Sequence, residues 1–244
     1  MSRKHPPERP IVVVQDTREP HEDAHDHPDS IFRPCVFAPG IPRDMPWQER
    51  PRVVVPIERH KLDVGDYSLP GLEGVVALER KSGPDLLATL FGDAGMNSVG
   101  DARRNLHRFR AELERAYAGH YQLFAIVCEA STLWLFAEAR RRFERYGKSF
   151  DPFAALGILR SFAVDLACPT IWCGSKGLAE LEVGSTLARV WSQATGGEKA
   201  RDAVRRGYSP PWLGAIGEGG GTLDCTSPGV GAGPVMSTQP GESR

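Results

Sequence analysis

The chain has 244 residues and a formal net charge of −1, with 25% charged and 41% apolar residues. This balance is typical of a globular protein with a full core, and it excludes collagen-like, low-complexity and strongly basic chains. The cysteines number five, an odd count, and have irregular spacing without a Cys-x-x-Cys pair, which argues against a disulfide framework and against structural zinc. No apolar run is long enough to cross a membrane and the first residues are polar, so we expect a soluble, intracellular protein of the cytoplasm, nucleoid or nucleus.

The first predicted strand follows a polar lead over residues 1–10. β-Branched residues at 11–14 end at Asp16, which predicts a buried strand whose end is exposed at the sheet edge. Residues 17–51 are rich in Pro, His and Asp and show little periodicity. A connection of that length predicts a functional loop or a helix-bearing insertion.

Two more strands are predicted before the first helix. Residues 52–57 predict a strand that continues towards Gly65 and Asp66, and Pro70-Gly71 marks a turn. Residues 75–81 predict a third strand, so the second and third strands are expected to form a hairpin. Ser82 is a good N-cap for a helix that reaches about residue 91.

Helices then alternate with two further strands. The remaining predicted elements are helices over 101–118, 132–146, 151–167 and 176–193 and strands over 121–128 and 169–173. This alternation predicts an α/β fold, a mixed and largely buried sheet with helices on both faces. Residues 207–244 are dominated by Gly, Ser, Pro and Thr, which predicts a flexible, disordered tail.

A charged motif lies at the predicted strand ends. Gly65-Asp66 is followed, after a gap of twelve residues, by Glu79-Arg80-Lys81, and Asp85 comes four residues later. Residues two apart on a strand share a face, so Glu79 and Lys81 are expected to point together and Arg80 away from them. A carboxylate beside an ammonium suits phosphodiester hydrolysis, because the carboxylate holds a divalent cation and the lysine orients or helps to deprotonate the attacking water.

Further carboxylates are expected near this motif. Asp16, Asp66 and Glu79 lie at three strand ends, where they are in a position to converge, and Mg²⁺ or Mn²⁺ would let them stay ionised together. Asp85 is expected in the first turn of a helix, where a carboxylate is favoured. The alternative is solvated surface charge, since a bare match to such a pattern is weak; the context at strand ends favours a nuclease site.

With these motifs the sequence resembles the nuclease domain of the XPF family of structure-specific DNA endonucleases. The family pattern Gly-Asp…Glu-Arg-Lys-x-x-x-Asp is matched by the motif above, and the upstream Asp-x-Arg-Glu of the family is matched by Asp16-Thr17-Arg18-Glu19. The resemblance covers about residues 11–191. It implies a restriction-endonuclease-like fold in a single domain over 11–195, a divalent metal, and cleavage of DNA near single-strand/duplex junctions.

The resemblance also implies roles for individual residues. Asp66 and Glu79 would be metal ligands, with Asp16 as an additional acidic member of the site. Lys81 would serve the water, while Arg80 and Asp85 would complete the site. Because Arg80 faces away in a regular strand, we expect it to brace Asp85 or a nearby phosphate.

Two departures from the family pattern affect DNA recognition. Family members often carry an Arg, and a Gln four residues on, in the helix after the motif; here Arg103 and Arg104 are followed by His107 and Arg108. We expect Arg103, Arg104 and Arg108 to contact DNA. Many relatives also carry a tandem helix-hairpin-helix module, for which this glycine-rich tail is unsuited, so selectivity is expected from the nuclease domain or a partner chain.

Two other charged stretches are open to alternative interpretations. Residues 21–29 are rich in His and carboxylates, which is compatible with a metal site but more typical of an acidic loop. Residues 140–142 are three arginines, which suit either a solvated helix face or a phosphate contact.

The motif predicts a Mg²⁺- or Mn²⁺-dependent nuclease, and the resemblance implies that it is an endonuclease of branched, flap or fork DNA that acts in repair or recombination. The alternatives are a non-catalytic DNA-binding partner subunit and a restriction-like nuclease acting on ordinary duplex or RNA. A homodimer through the helices at 151–167 and 176–193, or a partner subunit, is also expected, and no membrane association.

Overall fold

The computed structural model describes residues 11–19, 31–38, 44–92, 99–147 and 149–195. Within these ranges no helix has the length and apolar character needed to span a bilayer. The predicted lead over 1–10, the His- and Asp-rich residues 21–29 and the predicted tail over 207–244 lie outside the described residues.

The strands form a six-stranded sheet and a separate two-stranded sheet in the described ranges. In chain order they are β1 (Val13–Asp16), β2 (Cys35–Phe37), β3 (Arg52–Val54), β4 (Ile57–His60), β5 (Tyr67–Ser68), β6 (Val76–Lys81), β7 (Leu123–Cys128) and β8 (Thr170–Trp172).

The helices follow the pattern predicted after the motif. They are α1 (Gly83–Phe91), α2 (Val99–Ala118), α3 (Thr132–Tyr146), α4 (Pro152–Asp165) and α5 (Lys176–Thr195).

The main sheet is mixed, with the order β4-β1-β5-β6-β7-β8. The short strand β5 runs antiparallel to both of its neighbours, β1 and β6, whereas β4 pairs with β1, β7 with β6 and β8 with β7 in parallel. The parallel strands β6, β7 and β8 have their carboxyl ends on the same side of the sheet. Lys81, the last residue of β6, therefore lies opposite Cys128, the last residue of β7.

Helices cover the sheet on both faces, as predicted. On one face α5 packs Val183 and Leu187 into a buried cluster, and on the other face α1, α2 and α4 contribute Leu86, Leu113 and Leu159 to a second cluster. The strand β7, which lies between β6 and the edge strand β8, is buried at every residue. A strand buried on both faces reads as a continuous apolar run, so the sequence of β7 reflects its position.

The predicted strand over 52–57 is wrong in one respect, because it is two strands. Pro56 has no N–H for a ladder hydrogen bond and separates them. β3 pairs antiparallel with β2 outside the main sheet, whereas β4 pairs in parallel with β1 at its edge. The hairpin partner of β6 is therefore β5 alone.

The long connection after β1 contains a strand, and the predicted insertion is not helical in its described part. β2 lies against α5 at very short range: a Cβ at Gly184 would overlap the backbone of Cys35. Glycine at this position lets the helix and the strand approach each other closely.

Helix α4 has more exposed apolar surface than helix α5. Phe153 and Val164 of α4 are 71% and 77% exposed, whereas Val183 and Leu187 of α5 are buried. Of the two helices expected to mediate a homodimer, α4 thus keeps the apolar surface; the dimer itself stays a prediction.

Candidate active site

A glycine turn places Asp66 beside the end of β6. Gly65 has a φ of +72°, and a Cβ there would lie 3.0 Å from the Ala77 Cβ, so the turn requires glycine. The Asp66 amide donates to the Leu78 carbonyl at 2.9 Å. The Asp66 Oδ2 in turn accepts from the Arg80 amide at 2.7 Å. These two backbone contacts hold the Asp66 carboxylate next to the residue between them, Glu79.

Glu79, Lys81 and Asp85 form a linked group on one face of the sheet. Lys81 Nζ lies 2.7 Å from Glu79 Oε1 and 3.3 Å from Asp85 Oδ2. Asp85 is held in the first turn of α1 by its amide, which donates to the Ser82 hydroxyl at 3.2 Å. The Lys81 ammonium also lies 5.1 Å from the centre of the Phe109 ring of α2. The predicted alternation along β6 is confirmed, since Glu79 and Lys81 meet on this face.

The pKa values of Asp66, Glu79 and Lys81 are all shifted by burial and by one another's charge. Burial raises the pKa of Asp66 well above its ordinary value, and Glu79 and Glu19 raise it further. Burial also raises the pKa of Glu79, although Lys81 partly opposes this effect. Burial alone would lower the pKa of Lys81, but Glu79 and Asp85 raise it on balance. Lys81 is therefore a firmly charged ammonium, while the two carboxyls next to it are costly to ionise together.

Arg80 lies on the opposite face of the sheet and contacts three connecting segments of the chain. Its guanidinium stacks 4.8 Å from the centre of the Phe32 ring, and its Nε donates to Glu129 Oε1 at 2.7 Å. Its Nη1 lies 3.3 Å from Glu19 Oε2. Of the two contacts expected for Arg80, the one with Asp85 is wrong, because Asp85 and its partner Lys81 lie on the other face. Arg80 braces Glu129 and Glu19 instead. The contact with a phosphate stays a prediction.

Asp16 occupies a different environment from Asp66. It is fully buried, and Oδ1 accepts from the Arg18 amide at 2.7 Å and from the Arg18 Nε at 2.8 Å. Oδ2 accepts from the Leu62 amide at 2.7 Å and from the Arg18 Nη2 at 3.1 Å. Burial would raise the pKa of Asp16, but these hydrogen bonds lower it on balance. The predicted ligand role of Asp16 stays a prediction, and its contacts favour bracing the chain between β1 and Leu62.

Three carboxylates near the site were not among the predicted site residues. Glu19 belongs to the upstream motif, and Glu129 directly follows β7, so the strand-end argument used for Asp16 also applied to it. Glu112 of α2 accepts a hydrogen bond from the Gly65 amide at 3.2 Å. No local signal marked Glu112, because its partner is 47 residues away in the sequence.

The predicted DNA-contacting arginines lie along the first half of α2. Arg103, Arg104 and Arg108 are exposed and line one surface hollow. Arg108 also lines a cleft of about 120 Å³ together with Lys81 and Asp85. The basic stretch of α2 thus reaches the charged group at the end of β6.

The three consecutive arginines at 140–142 of α3 pair with glutamates of the same helix. Arg140 Nε lies 2.7 Å from Glu144 Oε1. Arg141 and Arg142 both pair with the buried Glu138, at 2.6 and 2.8 Å. These pairs favour the interpretation of residues 140–142 as a helix face with its charge compensated.

Comparisons with known proteins place the chain in a family. The sequence profile of the ERCC4 domain matches residues 33–180, more than half of the chain. A search of curated proteins gives no match.

Two solved structures are similar to this one. XPF from Aeropyrum pernix has 18% sequence identity and a TM-score of 0.44, over 77% of this chain and 64% of that chain. XPF from Aeropyrum pernix in complex with DNA has 18% identity and a TM-score of 0.41, over 77% of this chain and 68% of that chain. The chain thus spans somewhat less than two thirds of the first of these structures. By its match to the family profile, the chain belongs to the ERCC4 domain family, that of the XPF-type nuclease domains whose motif its sequence carries.

Proposed function

We propose that this chain is a divalent-metal-dependent endonuclease that hydrolyses phosphodiester bonds in branched, flap or fork DNA. The observation that carries the proposal is the grouping of Asp66, Glu79 and Lys81 at the end of β6. The two carboxyls there have raised pKa values, and an ammonium lies 2.7 Å from one of them. Carboxyls with strongly perturbed pKa values beside a fixed cation mark a candidate functional site, and Lys81 itself lines a cleft.

The donor set fits a hard divalent cation such as Mg²⁺ or Mn²⁺. Within the described ranges, no three His, Cys, Asp or Glu side chains converge into a complete metal cage. Mg²⁺ does not need one, because it usually keeps several waters and takes one or two carboxylates together with substrate phosphates. Asp66 and Glu79 would hold it, and a cation there would relieve the cost of ionising both. When bound, such a cation lowers the pKa of a water and stabilises the charge that develops on phosphate.

Lys81 is suited to position the water and the scissile phosphate, and unsuited to act as a base. Its pKa is raised by Glu79 and Asp85 against the effect of burial, so it keeps its proton at neutral pH. An ammonium held by two carboxylates and an aromatic ring has few rotamers left. It therefore donates hydrogen bonds from a fixed point, which is what orientation of a reactant requires.

The DNA backbone is proposed to run along the first half of α2. Arg103, Arg104 and Arg108 are exposed there, and Arg108 reaches the cleft that Lys81 lines. Phosphate neutralisation depends on a local patch, so the overall charge of −1 does not oppose DNA binding. The preference for branched over ordinary duplex DNA rests on the family to which the chain belongs.

Cleavage of a panel of end-labelled DNAs tests the proposal. Matched duplex, flap, fork, four-way junction and single strand are incubated with the purified chain in Mg²⁺, Mn²⁺ or EDTA. We expect metal-dependent incision of flap or fork DNA and no incision in EDTA. Lys81→Met keeps the apolar stem over Phe109 but removes the ammonium, so it should lower the rate by roughly 10³-fold. Lys61→Ala removes an exposed lysine and serves as the matched control.

The result also separates the alternative functions. DNA binding without incision under any metal condition would contradict an enzyme and favour a non-catalytic partner subunit. Equal incision of matched duplex and flap would favour a restriction-like nuclease of different substrate. Full activity of Lys81→Met would contradict the proposed role of Lys81 in the reaction.

A further inference from the structure

Glu112 links helix α2 to the turn that carries Asp66. The Gly65 amide donates to Glu112 Oε1 at 3.2 Å, and this amide belongs to the residue directly before Asp66. Gly65 itself is buried and adopts a φ of +72°. A buried amide needs a partner, and a glycine has no side chain through which packing could fix its conformation. The hydrogen bond from α2 is therefore well placed to hold the turn.

The same face of α2 also supports the other half of the site. Phe109 lies three positions before Glu112, on the same side of the helix, and its ring contacts the Lys81 ammonium at 5.1 Å. Glu112 and Phe109 line the cleft of about 120 Å³ that contains Lys81. One helix thus contacts both the turn that presents Asp66 and the lysine at the end of β6.

We propose that Glu112 is a positioning residue for the reaction, which sets the Asp66 carboxylate relative to Glu79 by holding the Gly65 amide. The proposal rests on the proposed nuclease function. The Gly65 N–H belongs to the Val64–Gly65 peptide group, whose rotation would move the turn that leads into Asp66 and so shift its carboxylate. Glu79, by contrast, is fixed by the register of β6 with β7. Displacement of a reacting group by about 1 Å is enough to cost roughly 100-fold in rate.

The helix offers a matched control at Glu114. Glu114 pairs with Arg110 one turn away, at 2.9 Å, and both side chains are about half exposed. Glu114→Ala removes a glutamate side chain from the same helix as Glu112→Ala does, but Glu114 pairs with Arg110 and not with the turn at Gly65. Exposed i,i+4 pairs contribute little to stability, so Glu114→Ala should leave both the fold and the rate unchanged.

The test compares Glu112→Ala, Glu112→Gln and Glu114→Ala with the parent chain. Glu112→Ala should lower kcat by roughly 10- to 100-fold with the KM for DNA unchanged, because binding surfaces are intact and only the geometry of the site is altered. Glu112→Gln should stay within about 3-fold of the parent, since its amide oxygen accepts the same hydrogen bond. Hydrogen–deuterium exchange of the peptide that contains Gly65 should be faster in Glu112→Ala alone.

The two readouts separate this inference from the proposed function. Parent-like kcat in Glu112→Ala, or parent-like exchange at Gly65, would overturn the positioning role even if the parent chain cleaves DNA well. A kcat in Glu112→Gln as low as that in Glu112→Ala would also overturn it, because the acceptor would then not be what matters. If the parent chain cleaves nothing, the proposed function fails, and the positioning role fails with it whatever the exchange shows.

Discussion

Two aspartates at neighbouring strand ends, Asp16 and Asp66, have opposite surroundings. Asp16 accepts four hydrogen bonds, from Arg18 and Leu62, and its pKa is lowered on balance. Asp66 accepts one from the Arg80 amide, lies near Glu79 and Glu19, and has a raised pKa. Both residues belong to motifs of the same family.

The difference distinguishes a carboxylate that holds the fold from one that is suited to a ligand. A buried carboxylate whose oxygens are all satisfied stabilises the folded state and gains little from a cation. A buried, ionised carboxylate next to a second one destabilises the folded state, and a bound cation relieves that cost. The predictions below test this contrast, from the largest expected effect to the smallest.

Asp66→Asn should abolish cleavage and Asp16→Asn should not. We expect a rate loss of roughly 10³-fold or more for Asp66→Asn, because a neutral amide is a poor ligand for a hard cation. Asn can still accept from the Arg80 amide, so the fold and the affinity for DNA should persist. For Asp16→Asn, the kcat of the folded fraction in single-turnover assays should stay within about 10-fold of the parent. A larger loss of kcat in Asp16→Asn, with the fold intact, would show that Asp16 takes part in the reaction.

Stability should respond in the opposite order. Asp16→Asn removes the charge that pairs with Arg18 and replaces an acceptor of the Leu62 or Arg18 donors with an amide group. We expect the free energy of unfolding to fall by about 3 kcal/mol. Asp66→Asn should leave the metal-free protein as stable as the parent, or more stable, because repulsion from Glu79 is relieved. Urea unfolding in EDTA measures both, and a more severe loss in Asp66→Asn would contradict the contrast.

The metal-free protein should lose stability as the pH rises above the ordinary range of carboxyl groups. The pKa values of Asp66 and Glu79 are raised in the folded state. In that range the folded state binds more protons than the unfolded state, so the free energy of unfolding decreases with pH. Asp16, with its lowered pKa, contributes the opposite slope, which appears only at more acidic pH. Unfolding curves in EDTA from about pH 5 to pH 8 should show the decrease in the parent and a flatter dependence in Asp66→Asn.

The smallest effects are expected from single arginines. Arg108→Ala should weaken DNA binding several-fold and reduce the slope of log affinity against log salt by about one. Arg140→Ala on α3 should change neither, because Arg140 pairs with Glu144. Binding measured by fluorescence anisotropy at several salt concentrations distinguishes the two. Equal losses in both variants would extend the proposed DNA path to α3.

Local patterns in the sequence were enough to predict most helices and the arrangement along β6. Ser82 caps α1 as predicted, and the alternation of Glu79, Arg80 and Lys81 follows from strand geometry. The strand β2 and the division at Pro56 were missed. A three-residue strand has too short a pattern to be recognised, and its pairing depends on chain-distant partners.

The contacts that determine the chemistry of the site are mostly long-range. Leu62 donates to Asp16 across 46 residues, Gly65 to Glu112 across 47, and Arg80 to Glu129 across 49. Sequence spacing carries no information on such pairs until the sheet order is known. The motif therefore predicted that Glu79 and Lys81 meet on one face, but not which carboxylates already have all their hydrogen bonds.

Calorimetric titration with Mn²⁺ tests the central claim, that Asp66 and Glu79 together hold the cation. The account predicts that the parent chain and Asp16→Asn bind Mn²⁺ with similar affinity, which increases with pH because binding displaces protons from the two carboxyls. Asp66→Asn should bind at least about 10-fold more weakly. Equal affinity of Asp66→Asn and the parent chain would contradict the account.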